Sequence, residues 1–195
     1  MSHRSLVATV QSLIAAAMDL ERRTMELYCQ FENRFRRPEE LRRFWFEMAQ
    51  HEAQHFGALA LLAALLDAAP RRALPPEAAL TPARIEHLRA LLDSCRREAA
   101  EGVSLERAFE MCLDIEASEI EDVVLDLLHS LKGAAARTRA LQLLIHDLGD
   151  LGYMIEKYTT SQSLLARADA LLETQVGRLR LRPPRPTPSL RRVKG

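Results

Sequence analysis

Apolar residues recur along this chain at three- and four-residue spacing, the period of an α-helix with one buried face, with no sustained alternation of the kind a half-buried strand would need. The first stripe, Val10, Ile14, Ala17, Glu21, Thr24, Tyr28 and Phe31, predicts a helix capped by Ser5 and running to about Phe35. Arg36-Arg37-Pro38 breaks it, and Pro38 followed by Glu39 and Glu40 suits the start of a second helix reaching about Ala69. Its stripe is Leu41, Trp45, Met48, Glu52, His55, Leu59, Leu62 and Leu66. A proline-bearing connector spans 69–81. Thr81-Pro82 then opens a third helix to about Ala100, with Ile85, Leu88, Leu91 and Leu92 apolar, expected to cross over outside the main bundle. Gly102 ends it and Ser104 caps the next helix, Leu105 to Leu131, with Phe109, Cys112, Glu116, Glu119, Val123 and Leu127 inward and Lys132-Gly133 as its stop. A long helix from Ala134 to Thr159 shows Ala140, Leu143, Leu144, Asp147, Asp150, Met154 and Tyr158 inward, and a short one covers Ser161 to Thr174.

Every long stripe is interrupted by carboxylates, and the interruptions repeat. At a shift of 95 residues, Asp19-Leu20-Glu21 falls on Asp114-Ile115-Glu116, and His51-Glu52-x-x-His55 on His146-Asp147-x-x-Asp150, with Gly57 on Gly152. One ungapped offset matching both acid-bearing segments marks two helix hairpins of one design. Glu21 and Glu52 are equidistant from the Arg36-Arg37-Pro38 break, as Glu116 and Asp147 are from a point just before Gly133. Four acids therefore stand at one level of an antiparallel bundle, roughly 23 Å from the turns. Burying them together costs several kcal/mol per unpaired ion, and no Lys or Arg occupies the inner stripes at that level. Protonation of half of them, pairing with His55, or divalent cations would each relieve this. Mixed carboxylate and imidazole donors suit iron or manganese, and zinc is also compatible.

Composition fits the same picture. Nearly half of the 195 residues are apolar, glycine is scarce, and aromatic residues make up 5%, which favours an all-α protein. The length suits one domain, taken as 1–175, followed by a basic, proline-rich tail at 176–195 expected to be disordered. Cys29, Cys95 and Cys112 form no C-x-x-C pair and are expected to be buried structural thiols. The net charge of zero conceals an asymmetry: residues 174–195 hold seven basic side chains and no acid, leaving 20 basic against 27 acidic in the rest. An acidic body argues against nucleic-acid binding. No apolar run is long enough for a membrane span and the N-terminus lacks a signal-peptide pattern, so a cytoplasmic protein is expected.

Glu21, the Glu52-x-x-His55 pair, Glu116 and the acids Asp147 and Asp150 resemble the ligand set of ferritin-like di-iron carboxylate proteins. Glu116-x-x-Glu119 is similar to the doubled glutamate of rubrerythrins, and the absence of four clustered cysteines makes the chain look like a rubrerythrin relative without the rubredoxin domain. The resemblance covers about residues 5–160. It implies a ferritin-like antiparallel four-helix bundle of two hairpins with a crossover helix and a short C-terminal helix, and two iron ions held by Glu21, Glu52, His55, Glu116, Glu119, Asp147 and Asp150. It implies His51, His146 and Tyr28 as neighbours of the ligands, dioxygen or peroxide as substrate, peroxide reduction or ferrous iron oxidation as activity, and a homodimer. The family pattern has Glu and His where this chain has Asp147 and Asp150, so one metal site is altered, and a non-catalytic scaffold with a decayed second site is the alternative. Ser189-Leu190-Arg191-Arg192 after the proline-rich stretch resembles the C-terminal peptides that load ferritin-like cargo into encapsulin shells.

Overall fold

The computed structural model describes residues 3–68, 82–118 and 134–180, and all regular structure among them is helical. Six helices follow in order: α1 (His3–Arg34), α2 (Glu39–Ala68), α3 (Pro82–Glu101), α4 (Leu105–Glu116), α5 (Ala134–Tyr158) and α6 (Gln162–Arg180). None is long and apolar enough to cross a membrane. The connector at 69–81, the Lys132-Gly133 stop and residues 181–195, including the shell-targeting resemblance, lie outside the described residues.

Local chemistry sets most of the boundaries. The Pro38 carbonyl accepts from the Leu41 and Arg42 amides at 3.1 and 3.3 Å, so Pro38 precedes the first turn of α2 instead of entering it. Ser104 has extended backbone (φ −71°, ψ 162°) and its hydroxyl accepts from the Arg107 amide at 3.1 Å, the expected N-cap. Gly102 ends α3 at φ +104°, in the region open to glycine, and its amide closes on Glu98 and Ala99 carbonyls.

Contacts between helices fix their directions. Gln11 bonds Asp67 while Phe31 packs on Trp45 (ring centroids 4.9 Å), so α1 and α2 form an antiparallel hairpin. Along α3, Arg23 pairs with Asp93 (2.7 Å), Arg96 with Glu26 (3.0 Å), and Arg34 bonds the Val103 carbonyl (2.7 Å) just beyond its end. Because both partners advance together, α3 runs parallel to α1 on its outer side. It returns the chain to the α1–α2 turn, from which α4 descends with Phe109 against Trp45 and Glu116 against Tyr28. Helix α5 rises antiparallel to α2, with Asp147 facing His51 and Lys157 facing Glu40 (2.6 Å). Gly152 of α5 meets Ala168 of α6, and Arg167 of α6 reaches Asp114 of α4 (2.5 Å).

The core is an aromatic knot near the first turn, in which Trp45 touches Tyr28, Phe31, Phe35, Phe44 and Phe109, continued by aliphatic stripes toward both ends. The predicted stripes of α1 and α2 are buried from Ile14 to Phe31 and from Leu41 to Leu66, with only His55 partly open.

Several expectations are corrected. Helix α1 already begins at His3, so Ser5 lies inside it. Helix α4 stops at Glu116 with Ala117 as C-cap, not at Leu131, and Glu119 falls outside the described residues. The buried residues of α5 are Leu141, Leu144, Leu148, Leu151, Met154 and Ile155, so the expected Leu144 and Met154 hold, whereas Leu143 is 49% exposed and Asp150 half exposed. Packing against α6 as well as α2 turns the buried face of α5 by part of one residue step, toward Leu148 and Leu151, while it still includes Leu144 and Met154. Helix α6 continues to Arg180, six residues past the expected Thr174. Cys29 is exposed, one step beyond the stripe at Tyr28, while Cys95 and Cys112 are buried.

Candidate metal centre

Glu21 on α1 and Glu52 on α2 meet because each is the acidic member of an inward stripe and the two are equidistant from the hairpin turn. Both are essentially buried, at 1% and 3% exposure. His55, one turn beyond Glu52, brings its Nδ1 to 3.6 Å from Glu52 Oε2 and 3.8 Å from Glu21 Oε2. One ligand atom from each of the three lies within 4.8 Å of the other two. Glu21 Oε1 is buried with no hydrogen-bond partner among the described residues, a condition natural proteins rarely leave without a purpose.

The electrostatics of this pocket are unfavourable to two bare carboxylates. Burial, then the charge of Glu21, push the Glu52 carboxyl up to about 8, against the opposing pull of His55. Among the described residues the buried charged side chains are Glu21, Glu52 and Glu116, with no Lys or Arg beside them. A proton or a metal cation is the remaining source of positive charge, and the donor set of two carboxylates and one imidazole suits a divalent transition metal.

Glu116 faces the same interior from α4. Its Oε1 accepts a 2.8 Å hydrogen bond from the Tyr28 hydroxyl. Burial holds Tyr28 well above the usual phenol range, and the charges of Cys112, Glu116 and Glu52 add to it. The Cys112 thiol, one turn before Glu116, is likewise pushed up by burial first, with Glu116, Glu52 and Asp147 contributing. Tyr28 and Cys112 therefore both feel the charges of Glu52 and Glu116. Cys112 had no chemical signature in the sequence, although its four-residue spacing from Glu116 places both on one face.

The α5 acids are placed differently from the α1–α2 pair. Asp147, with its side chain 12% exposed, sets Oδ2 3.0 Å from His51 Nδ1, and this contact raises the His51 pKa against the opposing effect of burial. Asp150, half exposed, lies with Oδ2 3.3 Å from His146 Nδ1. The structure thus brings together Glu21, Glu52 and His55; it joins Tyr28 to Glu116, His51 to Asp147, and His146 to Asp150.

The 95-residue repeat is visible in burial. Leu20 and Ile115 are core, Glu21 and Glu116 are buried, and Asp19 and Asp114 both make surface ion pairs, with Arg22 and Arg23 and with Arg167 respectively. No family model, curated protein or solved structure matches the chain.

Proposed function

We propose that this chain is a metal-binding helical bundle of the ferritin-like, rubrerythrin-related type, working on dioxygen, peroxide or ferrous iron. The observation that carries the reading is the buried group Glu21, Glu52 and His55, whose ligand atoms share a space of ion size with one glutamate oxygen unpartnered and no basic side chain buried beside it. Two further features support it. The helix directions, with α3 as a single long crossover between two halves, are those of ferritin-like bundles. Glu116 adds a third buried carboxylate from the second half, hydrogen-bonded by Tyr28.

Glu21, Glu52 and His55 would hold one ion, and Glu116 is the carboxylate available to a second. Iron bound there would supply one-electron steps between its ferrous and ferric states. The protein's own part is to keep the carboxylates in a dry, shaped pocket, to fix Glu116 through Tyr28, and to hold on Glu52 the proton that a metal displaces.

Anaerobic loading with Fe(II), metal analysis, and then peroxide addition test this. One to two irons per chain and a ferric charge-transfer band on oxidation are expected. Fewer than one ion per chain removes the metal reading, and bound iron with no absorbance change removes the redox reading. The second reading, a non-catalytic bundle with one surviving site, is favoured by one observation: Asp147 is already paired with His51, outside the buried group.

A further inference from the structure

The solvent side of α2 carries no charge for most of its length. Between Glu47 and Asp67, a rise of about 30 Å, the only Asp, Glu, Lys or Arg is the buried Glu52. The exposed positions there are Gln50, Ala53, Gln54, Gly57, Leu61 and Ala64. Phe46, at the head of this face, is 58% exposed and Leu61 45%. Charged residues make up 28% of the chain, and a solvated helix face is where they belong. We propose that this face is the contact between two copies of the chain, with their α2 helices packed antiparallel across a two-fold axis.

The internal repeat shows what such a face requires. At the 95-residue shift Phe46, Ala53, Gly57 and Ala60 fall on Leu141, Leu148, Gly152 and Ile155. Those α5 positions are covered. Leu141, Leu148 and Ile155 are at most 2% exposed, and a Cβ on Gly152 would lie 3.9 Å from Ala168 of α6, the helix that folds back along α5 after the short turn at 159–161. A Cβ on Gly57 would meet nothing within 4 Å. Among the described residues no helix folds back along this side of α2 as α6 does along α5. A glycine inside a helix weakens it relative to alanine, a cost offset where another backbone comes close.

The face is complementary to itself. Turned antiparallel about an axis at the height of residue 55, one α2 sets Arg43 against Asp67 of the second copy, Phe46 against Ala64, and Ala53 against Gly57, each pair being equidistant from that height. The Arg43 side chain is 66% exposed and comes no nearer than 4.0 Å to Glu47, while Asp67 bonds the neutral Gln11 amide, so both can turn to a partner of opposite charge. Large rings then meet small residues, and opposite charges close both ends of the contact. A parallel pairing would set Arg43 on Arg43 and Phe46 on Phe46. The antiparallel one gives α2 the kind of neighbour that α6 gives α5.

Sedimentation equilibrium of the metal-free full chain tests the proposal, and its outcome is separate from that of the buried centre, because the substituted positions lie on the side of α2 away from Glu52 and His55. The wild type should be dimeric at micromolar concentration. Gly57→Arg, at a position with open space around it, should raise the dissociation constant at least about tenfold with unchanged helical circular dichroism. Arg43→Glu and Asp67→Arg should each weaken the dimer, and the two together should restore it. A wild type that stays monomeric at about 100 µM would overturn the proposal and leave the face to another segment of the chain or a different partner. A dimer unchanged by Gly57→Arg would place the contact elsewhere and overturn it as well, and a charge exchange that fails to restore association would overturn the antiparallel register.

Discussion

The Tyr28 hydroxyl donates to Glu116 Oε1 at 2.8 Å, joining α1 to α4 across 88 residues of sequence at a point where both side chains are buried. The bond sits one turn above Cys112 and within the electrostatic reach of Glu52, so it is both a structural tie and the element that orients the third buried carboxylate.

Tyr28→Phe removes the donor while keeping the ring that packs on Trp45 and Phe31. A hydrogen bond to a buried carboxylate contributes more than a neutral one, so the metal-free variant should lose about 1–3 kcal/mol in denaturant unfolding. The outcome that would refute the tie is a variant as stable as the wild type with an unchanged unfolding slope.

Trp45 is the sole tryptophan and is fully buried, with Phe109 stacked on it at 5.4 Å between ring centroids. Phe109→Ala leaves a void beneath the indole. It should cost about 3–5 kcal/mol and shift Trp45 fluorescence to longer wavelength as water gains access. A loss below about 1 kcal/mol with unchanged emission would mean that α4 does not anchor on this knot.

The parts of this architecture legible in the sequence are those decided locally. Ser104 as a cap, Gly102 as a stop and the Arg36-Arg37-Pro38 break each act through their own backbone chemistry. Glu21, Glu52 and His55 were legible because an acid inside an apolar stripe conflicts with burial and calls for a partner. The face of α5 was not, because its sequence offers two adjacent apolar stripes, and only packing against both α2 and α6 selects the one through Leu148 and Leu151. That same rotation decides where Asp147 and Asp150 stand. The end of α4 at Glu116 has no local mark either, since Ala117 and Ser118 are neither Gly nor Pro.

Gly102→Ala tests the α3–α4 corner. At φ +104° an added Cβ is strained, and it would meet the Arg34 guanidinium at 3.0 to 3.3 Å, which itself bonds the Val103 carbonyl. A loss of about 1–3 kcal/mol is expected in thermal or denaturant unfolding. A neutral result would show that the corner relaxes without disturbing the crossover.

The Glu52 carboxyl makes the metal-free protein pH-sensitive in a direction opposite to that of most native carboxylates. It ionises near 4.5 in the unfolded chain and near 8 in the fold, where burial and Glu21 hold the proton on. Between these values the folded state retains a proton that the unfolded state has released, so raising the pH lowers stability, and the loss levels off above about pH 8. Glu52→Gln keeps a side-chain N–H donor in place of the carboxylic acid but cannot ionise. His51, whose pKa is raised by Asp147, also loses stability with rising pH, so the informative quantity is the difference between wild type and variant. That difference should favour the variant by a few kcal/mol at pH 8 and shrink toward zero at pH 5, measured by urea unfolding of metal-free protein. The same substitution should weaken metal binding at the Glu21 and His55 pocket at least about tenfold. In the wild type, affinity should rise with pH up to about 8, because the metal must displace the Glu52 proton. A wild type and variant with parallel stability profiles across pH 5–8 would show that Glu52 is ionised throughout and that the pocket carries its charge by another means.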